Sequence, residues 1–378
     1  NELMKLTCLQ ENLNAGLQIT GHLVNKNINL PILNNVLMEV KNEKLKLSST
    51  NLEIGITCSV RCKSETEGSF TVEGKLLSEY VNLLSNDQVD LELEKNDFLS
   101  IACKSSQTKI KGIDATDFPV IPQLEKNEPY KINIAEFKKA ISQVVFSVAV
   151  SESRPEISGV FLSFNKVQKG KVVLVGTDSY RLAEKKAAIS DNEKENEVIV
   201  PLKTLQEVLR ILNNIKDQAN AVETMEVHLS DNQILFCMDS VELISRLVDG
   251  NYPDYTQIIP SASKTTVIAS TSELQKQIKR VALFSKAGIF DINLVFDPAK
   301  GLILKATNTQ VGESTSELDV EFTGDSNDTV LNYRYLLEGL NNIDSDEVKI
   351  SLVDGNVPCL IQPKENDDYL YIVMPIKQ

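Results

Sequence analysis

Val172-Val-Leu-Val-Gly-Thr-Asp-Ser-Tyr-Arg-Leu-Ala183 is a β-branched apolar run broken at Gly176, Thr177 and Asp178, after which Tyr180, Arg181 and Leu182 project from the next element. Alone it reads as a strand entering a turn in which Asp178 bonds its own backbone. The same pattern stands three times in the chain. Thr50-Asn51, Thr177-Asp178 and Thr307-Asn308 each follow an apolar strand (Lys44 to Ser48, Lys171 to Val175, Gly301 to Lys305), at spacings of 127 and 130 residues. A second marker keeps step: Val72-Glu-Gly-Lys-Leu-Leu77, Val200-Pro-Leu-Lys-Thr-Leu205 and Leu331-Asn-Tyr-Arg-Tyr-Leu336 each run from a strand end into an amphipathic helix. A looser third marker is a helix headed by Leu13, Phe137 or Leu274. Three markers in one order, three times over, predict a triplicated α+β domain with boundaries at 1–126, 127–259 and 260–378. Repeats of this size are far longer than solenoid units, so each is expected to carry its own core.

Apolar content of 42% and charged content of 24% are those of a globular chain. No apolar run is long enough for a membrane-spanning helix, and no basic-then-apolar leader precedes Met4-Lys-Leu-Thr, which reads as a natural start. The six cysteines show no clamp spacing and are expected to be reduced and mostly buried. His22 and His228 have no nucleophile signature beside them, so neither a hydrolase triad nor a His-rich metal site is expected. Gly68 to Lys75 imitates a phosphate loop, but it has five residues between its glycines and Leu76 in place of the metal-holding Ser or Thr.

A net charge of −14 argues at first against a nucleic-acid partner. Its distribution argues otherwise. Periodicity predicts helices near 11–26, 75–86, 135–147, 202–214, 272–286 and 333–342. They carry eleven basic residues (Lys26, Lys75, Lys138, Lys139, Lys203, Arg210, Lys276, Lys279, Arg280, Lys286 and Arg334) and six acidic ones, a net +5 that leaves −19 for everything else. Lys276, Lys279 and Arg280 share one helical face, opposite Leu274, Ile278 and Val281. Solvated polar faces would produce the same pattern, so the charges alone leave both readings open.

Strands are expected at Leu30 to Val40, Ile157 to Leu162 and 313–322, with Leu76, Leu77, Tyr80, Val81 and Leu84 as the core stripe of the second helix. Arg246 to Tyr255 reads as a stiff, exposed turn. The chain ends on an apolar strand whose Met374, Pro375 and Ile376 either enter a core or border a pocket.

Leu30-Pro-Ile-Leu33, Thr116-Asp-Phe-Pro119, Thr177 to Ala183, Leu247 to Tyr255 with Pro260, and Val373-Met-Pro375, in this order within a triplicated chain, resemble the bacterial DNA polymerase III beta subunits, the replicative sliding clamps. The resemblance runs from Met4 to Gln378. It implies three repeated DNA-clamp domains per chain and a head-to-tail homodimeric ring, helices lining the channel and sheets outside. Elementary geometry is compatible with two chains: a 126-residue domain has a radius of gyration of roughly 14 Å, and six such bodies in a ring leave a hole about one body wide.

The resemblance also implies a function. The chain would be a non-enzymatic processivity factor, without cofactor or metal, in the bacterial cytoplasm near the nucleoid. It would encircle duplex DNA without reading sequence and would not bind membrane. The helical cations, Lys26, Lys75, Lys138, Lys139, Lys203, Arg210, Lys276, Lys279, Arg280 and Arg334, would face phosphates. The DNA polymerase III catalytic subunit, the clamp loader, other polymerases and mismatch-repair proteins would dock short Leu/Phe-rich peptides. Their groove would comprise Ile157, Thr177, Ser179, Tyr180, Arg181, Leu182, Pro253, Gln257, Ile258, Val357, Pro358, Ile372, Met374, Pro375, Ile376 and Lys377, although a packed inter-domain seam is the other reading of these residues. Ile110 of one chain would meet Leu283 and Phe284 of the next. This sequence departs from the family pattern at Ser179-Tyr180, Gln257 and Gln378. A ring or bridging scaffold without DNA is the alternative, and the charge segregation tells against it.

Overall fold

The computed structural model describes all residues except 1–2, 24–29, 151–152, 215–222 and 378. Six helices appear in chain order among them: α1 Gln10–Thr20, α2 Gly74–Asn82, α3 Ile134–Ser142, α4 Leu202–Asn214, α5 Thr271–Ala282 and α6 Tyr333–Asn341. Each lies where periodicity placed it, though most end earlier. α1 passes into a 3-10 turn, Gly21–Leu23, and the remainder of its expected span, 24–26, lies outside the described residues.

Local chemistry sets these ends. Ser270 caps α5 by accepting from the Glu273 amide, Glu273 stands in the first turn, and Lys279 and Arg280 stand in the last, each sign matching the helix dipole. Leu274, Ile278 and Val281 are its buried stripe. Asn332 caps α6 by accepting from the amides of Arg334 and Tyr335. On α2 only Leu77 and Val81 of the expected stripe are fully buried. Leu76 (46% exposed) and Leu83 (84%) form a second, outward apolar pair seven residues apart.

The described residues fall into two compact units, 1–134 with 210–247, and 135–209 with 248–378. Compactness therefore follows the sheets, not the repeats. In the first unit an antiparallel sheet runs in the order Gly68–Glu73, Asn35–Lys41, Lys44–Thr50, Ile54–Arg61, Val241–Arg246, Gln233–Met238, Thr224–Leu229 and Tyr130–Asn133. A second sheet orders Lys63–Thr66, Lys5–Leu9, Gln88–Glu94, Phe98–Cys103 and Ser106–Ile113.

The second unit repeats the plan. Its long sheet runs Asn196–Pro201, Gly159–Phe164, Lys171–Thr177, Arg181–Ser190, Tyr369–Val373, Cys359–Pro363, Glu347–Leu352, Thr265–Ser270 and Glu321–Gly324. Its shorter sheet orders Asn327–Asn332, Asp291–Asp297, Gly301–Asn308 and Gly312–Leu318. In both long sheets the ladder crosses from one repeat into the next, because a strand of the following repeat satisfies an edge that would otherwise expose its amides.

Several expectations are corrected. Pro31 and Pro155 open 3-10 turns, Pro31–Asn34 and Pro155–Ile157, so the strands begin only at Asn35 and Gly159. Proline's fixed φ suits the first turn of a helix and removes an amide that a ladder would need. The run 313–322 is two strands, Gly312–Leu318 and Glu321–Gly324, in different sheets. The segment 246–255 is not wholly exposed. Tyr252 stacks on Phe161 with ring centroids 4.9 Å apart, and Tyr255 is buried.

Candidate partner-docking and DNA-contacting sites

In the first two repeats the turn is one hydrogen-bonding device, of which the third keeps one bond. In the first repeat, Thr50 Oγ1 donates to the Ile54 carbonyl (2.8 Å) and accepts from the Leu52 amide (3.0 Å), while Asn51 Oδ1 accepts from the amides of Glu53 (3.0 Å) and Ile54 (2.8 Å). In the second, Thr177 Oγ1 donates to the Arg181 carbonyl (2.6 Å) and accepts from the Ser179 amide (3.1 Å). Asp178 Oδ1 accepts from the amides of Tyr180 (2.9 Å) and Arg181 (3.0 Å). The third residue lies at positive φ in both, +76° at Leu52 and +78° at Ser179, a strained conformation held by the bonds on either side. In the third repeat Asn308 Oδ1 likewise accepts from the Gln310 amide (3.0 Å).

In the second unit this turn delivers an arginine into a cage. Arg181 Nε donates to Asp178 Oδ2 (3.0 Å), one terminal nitrogen bonds the Glu338 carboxylate, and the other donates to the Phe146 carbonyl (2.9 Å). Its guanidinium lies 4.6 Å from the Tyr335 ring centroid and 5.5 Å from that of Phe146, with the side chain only 10% exposed. Burial pulls its pKa down, but the bond to Glu338 and the neighbouring Tyr371 and Asp178 outweigh burial and hold it above the usual arginine range. Tyr371 donates its hydroxyl to the Tyr335 carbonyl (2.9 Å). It packs so closely on Gly339 that a Cβ there would stand 2.1 Å from its ring. The arginine and the turn were legible in the sequence. Glu338, Tyr335 and Phe146 were not, because no local pattern links residues 35 to 157 positions apart.

The remaining groove candidates gather along the same ladder. Leu182 stands opposite Ile372, and both are buried in a cluster with Phe161, Val173, Val175, Ile199 and Tyr255, against which Ile258 packs. The Ala149 amide donates to the carbonyls of both Ile157 (3.3 Å) and Thr177 (3.1 Å), tying those two segments together. The Met374 amide donates to Tyr180 (2.8 Å) and the Ile376 amide to Val330 (2.8 Å). Val357 and Pro358 precede the strand Cys359–Pro363, which pairs with Tyr369–Val373. Ile157, Leu182 and Ile372 are buried. Arg181, Ile258, Val357, Pro358, Met374, Pro375 and Ile376 are half-buried, and Ser179, Tyr180, Pro253, Gln257 and Lys377 are exposed. Gln257 Nε2 is held by Asp254 Oδ2 (2.9 Å), and Arg154, which the sequence did not single out, donates to Ser179 Oγ (2.9 Å).

The helical cations are unequal. Lys75, Lys203, Lys276, Lys279, Arg280 and Arg334 are exposed and Lys138 is half-buried. Lys75 and Lys276 face Glu79 (3.8 Å) and Glu273 (3.7 Å) within their own helices, surface pairs of little energetic weight. Lys139 bonds Asp344 (2.7 Å). The Arg334 guanidinium lies 3.6 Å over the Phe290 ring. Arg210 donates to the carbonyls of Gln18 (3.0 Å) and Ile19 (2.6 Å) at the end of α1, so its charge compensates a helix terminus. Lys26 and Gln378 lie outside the described residues. Ile110 is buried in its own sheet opposite Leu99, whereas Leu283 is 74% exposed after α5 and Phe284 is half-buried.

Compared with known proteins, the chain matches three consecutive domains of one family, the N-terminal, central and C-terminal domains of the DNA polymerase III beta subunit, at residues 4–122, 131–254 and 256–377. The chain belongs to this family. Relatives include the beta sliding clamps of Bacillus subtilis, 26% identical over 99% of this chain and 100% of theirs, and of Synechococcus elongatus, 29% identical over 99% of each. Among solved structures, the Bacillus subtilis DNA polymerase sliding clamp superposes with a TM-score of 0.92 at 26% identity, covering all of both chains. The DNA polymerase III subunit beta of Pseudomonas aeruginosa, bound to griselimycin, gives 0.91 at 27% identity over 99% of this chain and 100% of that one. The fold is accordingly three clamp domains of mixed helix and strand, and the family is an accessory, non-catalytic subunit of a replicative polymerase.

Proposed function

We propose that this chain is a DNA sliding clamp that confers processivity on the replicative polymerase, with clamp domains at 1–126, 127–259 and 260–378. Two copies join head to tail and encircle duplex DNA, helices inward, in the bacterial cytoplasm. The observation that carries this reading is the unbroken succession of three beta-subunit domains along the chain.

Physical features support each part. The exposed Lys276, Lys279 and Arg280 of α5, with Lys75 of α2, Lys203 of α4 and Arg334 of α6, suit weak, sequence-independent and salt-sensitive contact with phosphates, which permits sliding. Ser106–Ile113 and Gly312–Leu318 are edge strands along most of their length among the described residues. Leu283, exposed just after α5, lies at the end of the helix that packs on Gly312–Leu318, and the first unit exposes Leu76 and Leu83 on and just after α2. Unpaired edges and exposed apolar side chains in both units suit a heterologous interface between copies. The exposed Tyr180, joined by its carbonyl to the Met374 amide, and the half-buried Met374 and Pro375 beside the Leu182–Ile372 cluster suit a short Leu/Phe-bearing peptide from polymerases, clamp loader or repair proteins.

The test is retention on DNA and peptide binding by full-length variants. Replacing Lys276, Lys279 and Arg280 by Glu is expected to weaken salt-dependent DNA retention while the dimer persists in sedimentation. Deleting residues 374–378 is expected to abolish peptide binding with the ring intact. Unchanged DNA retention would remove α5 from the channel, and undiminished peptide affinity would remove the C-terminal segment from the groove.

A further inference from the structure

The seam in the first unit is the counterpart, strand for strand, of the seam that carries the proposed peptide groove. Val241–Arg246 lies beside Ile54–Arg61 with Ile244 opposite Gly55, as Ile372 lies opposite Leu182. Leu235 stands opposite Ile244 as Leu360 stands opposite Ile372. Even the exit bond repeats, from the Arg246 amide to Glu53 (3.1 Å) and from the Met374 amide to Tyr180 (2.8 Å).

The side chains at these matched positions differ in kind. Where the second unit has Leu182, Val173 and Leu370 in or against a closed apolar cluster, the first has Gly55, Lys46 and Glu242. Gly55 lets Ile121 approach until a Cβ would be 2.7 Å away, yet a cavity of about 250 Å³ remains among these residues. Its apolar lining includes Ile121, Leu235 and Ile244, and its charged lining is Lys46, Lys126 and Glu242. Lys126 donates to Glu242 at 2.5 Å, which uses one of its three N–H groups. Lys46 lies 3.7 Å from Glu39, too far for a direct hydrogen bond.

We infer that this cavity is a second ligand site, taking a carboxylate that bears a leucine-sized apolar body. The body occupies the volume beside Ile121 and Ile244, and the carboxylate bonds Lys46 and Lys126. A cavity of roughly 150 Å³ already accepts a benzene ring, so the larger volume here has room for a branched aliphatic group with its acid. The opposite charge explains why two lysines line a space that the sister seam fills with hydrocarbon. The chemistry is shared by a free branched acid and by a peptide ending in leucine.

The experiment is a methyl NMR titration of the full-length protein, labelled at isoleucine δ1 carbons, with 4-methylpentanoate and with its neutral amide. Saturable shifts at Ile121 and Ile244 are expected with the acid, at a Kd of about 1 mM or tighter. The amide is expected to bind about tenfold more weakly, since a charge-assisted bond is lost. Lys46→Gln and Lys126→Gln should each reduce the acid's affinity towards that of the amide. A pentapeptide ending in free leucine, compared with its C-terminal amide, distinguishes the sources: a free-carboxylate peptide binding more tightly than 4-methylpentanoate assigns a chain terminus, and the reverse assigns a small acid. No shift at either isoleucine up to about 10 mM, or an amide that binds as well as the acid, overturns the inference.

Discussion

The ladder of Ile54–Arg61 with Val241–Arg246 and that of Arg181–Ser190 with Tyr369–Val373 share one register. They also share one turn built on a Thr and an Asn or Asp. In the second unit the turn places a caged arginine over a closed apolar cluster. In the first it is followed by Gly55, which lines a cavity with charged walls. The backbone device is kept because two polar side chains satisfy it locally, whatever surrounds them. What the seam does is left to the side chains that point inward from the ladder.

Matched truncations test that contrast most strongly. Ile372→Ala is expected to cost about 4 kcal/mol, because the cluster around it is full and leaves a cavity on truncation. Ile244→Ala should cost about half as much, roughly 2 kcal/mol, since one side of Ile244 already faces open volume and has fewer contacts to lose. Urea midpoints of the two variants provide the comparison, and equal losses would mean that the first seam is packed as tightly as the second.

A smaller effect than that of Ile372→Ala is expected from Gly339→Ala. The added methyl group must displace the Tyr371 ring, an overpacking cost of about 2–3 kcal/mol. Because Tyr371 adjoins the Arg181 cage, weakened peptide binding should accompany the lower melting temperature. A variant as stable as the parent would show that α6 shifts freely.

Alkaline pH separates the units by chemistry. Burial pushes the Cys8 thiol up to about 12 and those of Cys58 and Cys237 to about 11, all in the first unit, and Cys359 in the second to about 12. Burial also raises Tyr252, Tyr255, Tyr369 and Tyr371 in the second unit, with the Glu184 charge adding at Tyr255. Each group keeps its proton in the folded chain at a pH where the unfolded chain has released it. Their stabilisation is therefore complete below the unfolded values, near pH 9 for thiols and pH 10 for phenols, and is lost as pH rises through the folded values. Each group contributes a slope of up to about 1.4 kcal/mol per pH unit. Melting temperatures should fall from about pH 9 and more steeply above about pH 10; a flat profile would mean that these groups are solvated. The smallest effect is expected at Gly55→Ala, which has only to move Ile121 and the edge of Ile244, at about 1 kcal/mol. A loss as large as that of Gly339→Ala would mean that the first seam has no slack.

The sequence by itself determined the repeats, the six helices and the turn, because these rest on local periodicity and on a two-residue hydrogen-bonding motif. It also determined the segregation of charge onto helices, and through matched motifs the family. Only the tertiary structure decided what each side chain does there. Arg210 and Lys75 are both helical cations in the sequence, yet Arg210 is spent on the carbonyls at the end of α1 while Lys75 remains exposed. Tyr252 and Tyr255 lie in a segment rich in Gly, Pro and Asp that reads as surface, yet the Phe161 ring and the Glu184 carboxylate draw them inward. Arg181 could be placed on its turn, but its hold by Phe146 and Glu338 depends on strands and helices far apart in the chain. The same holds for the cavity at Gly55, which exists only because residues from Lys46 to Ile244 meet across a ladder that no local signal encodes.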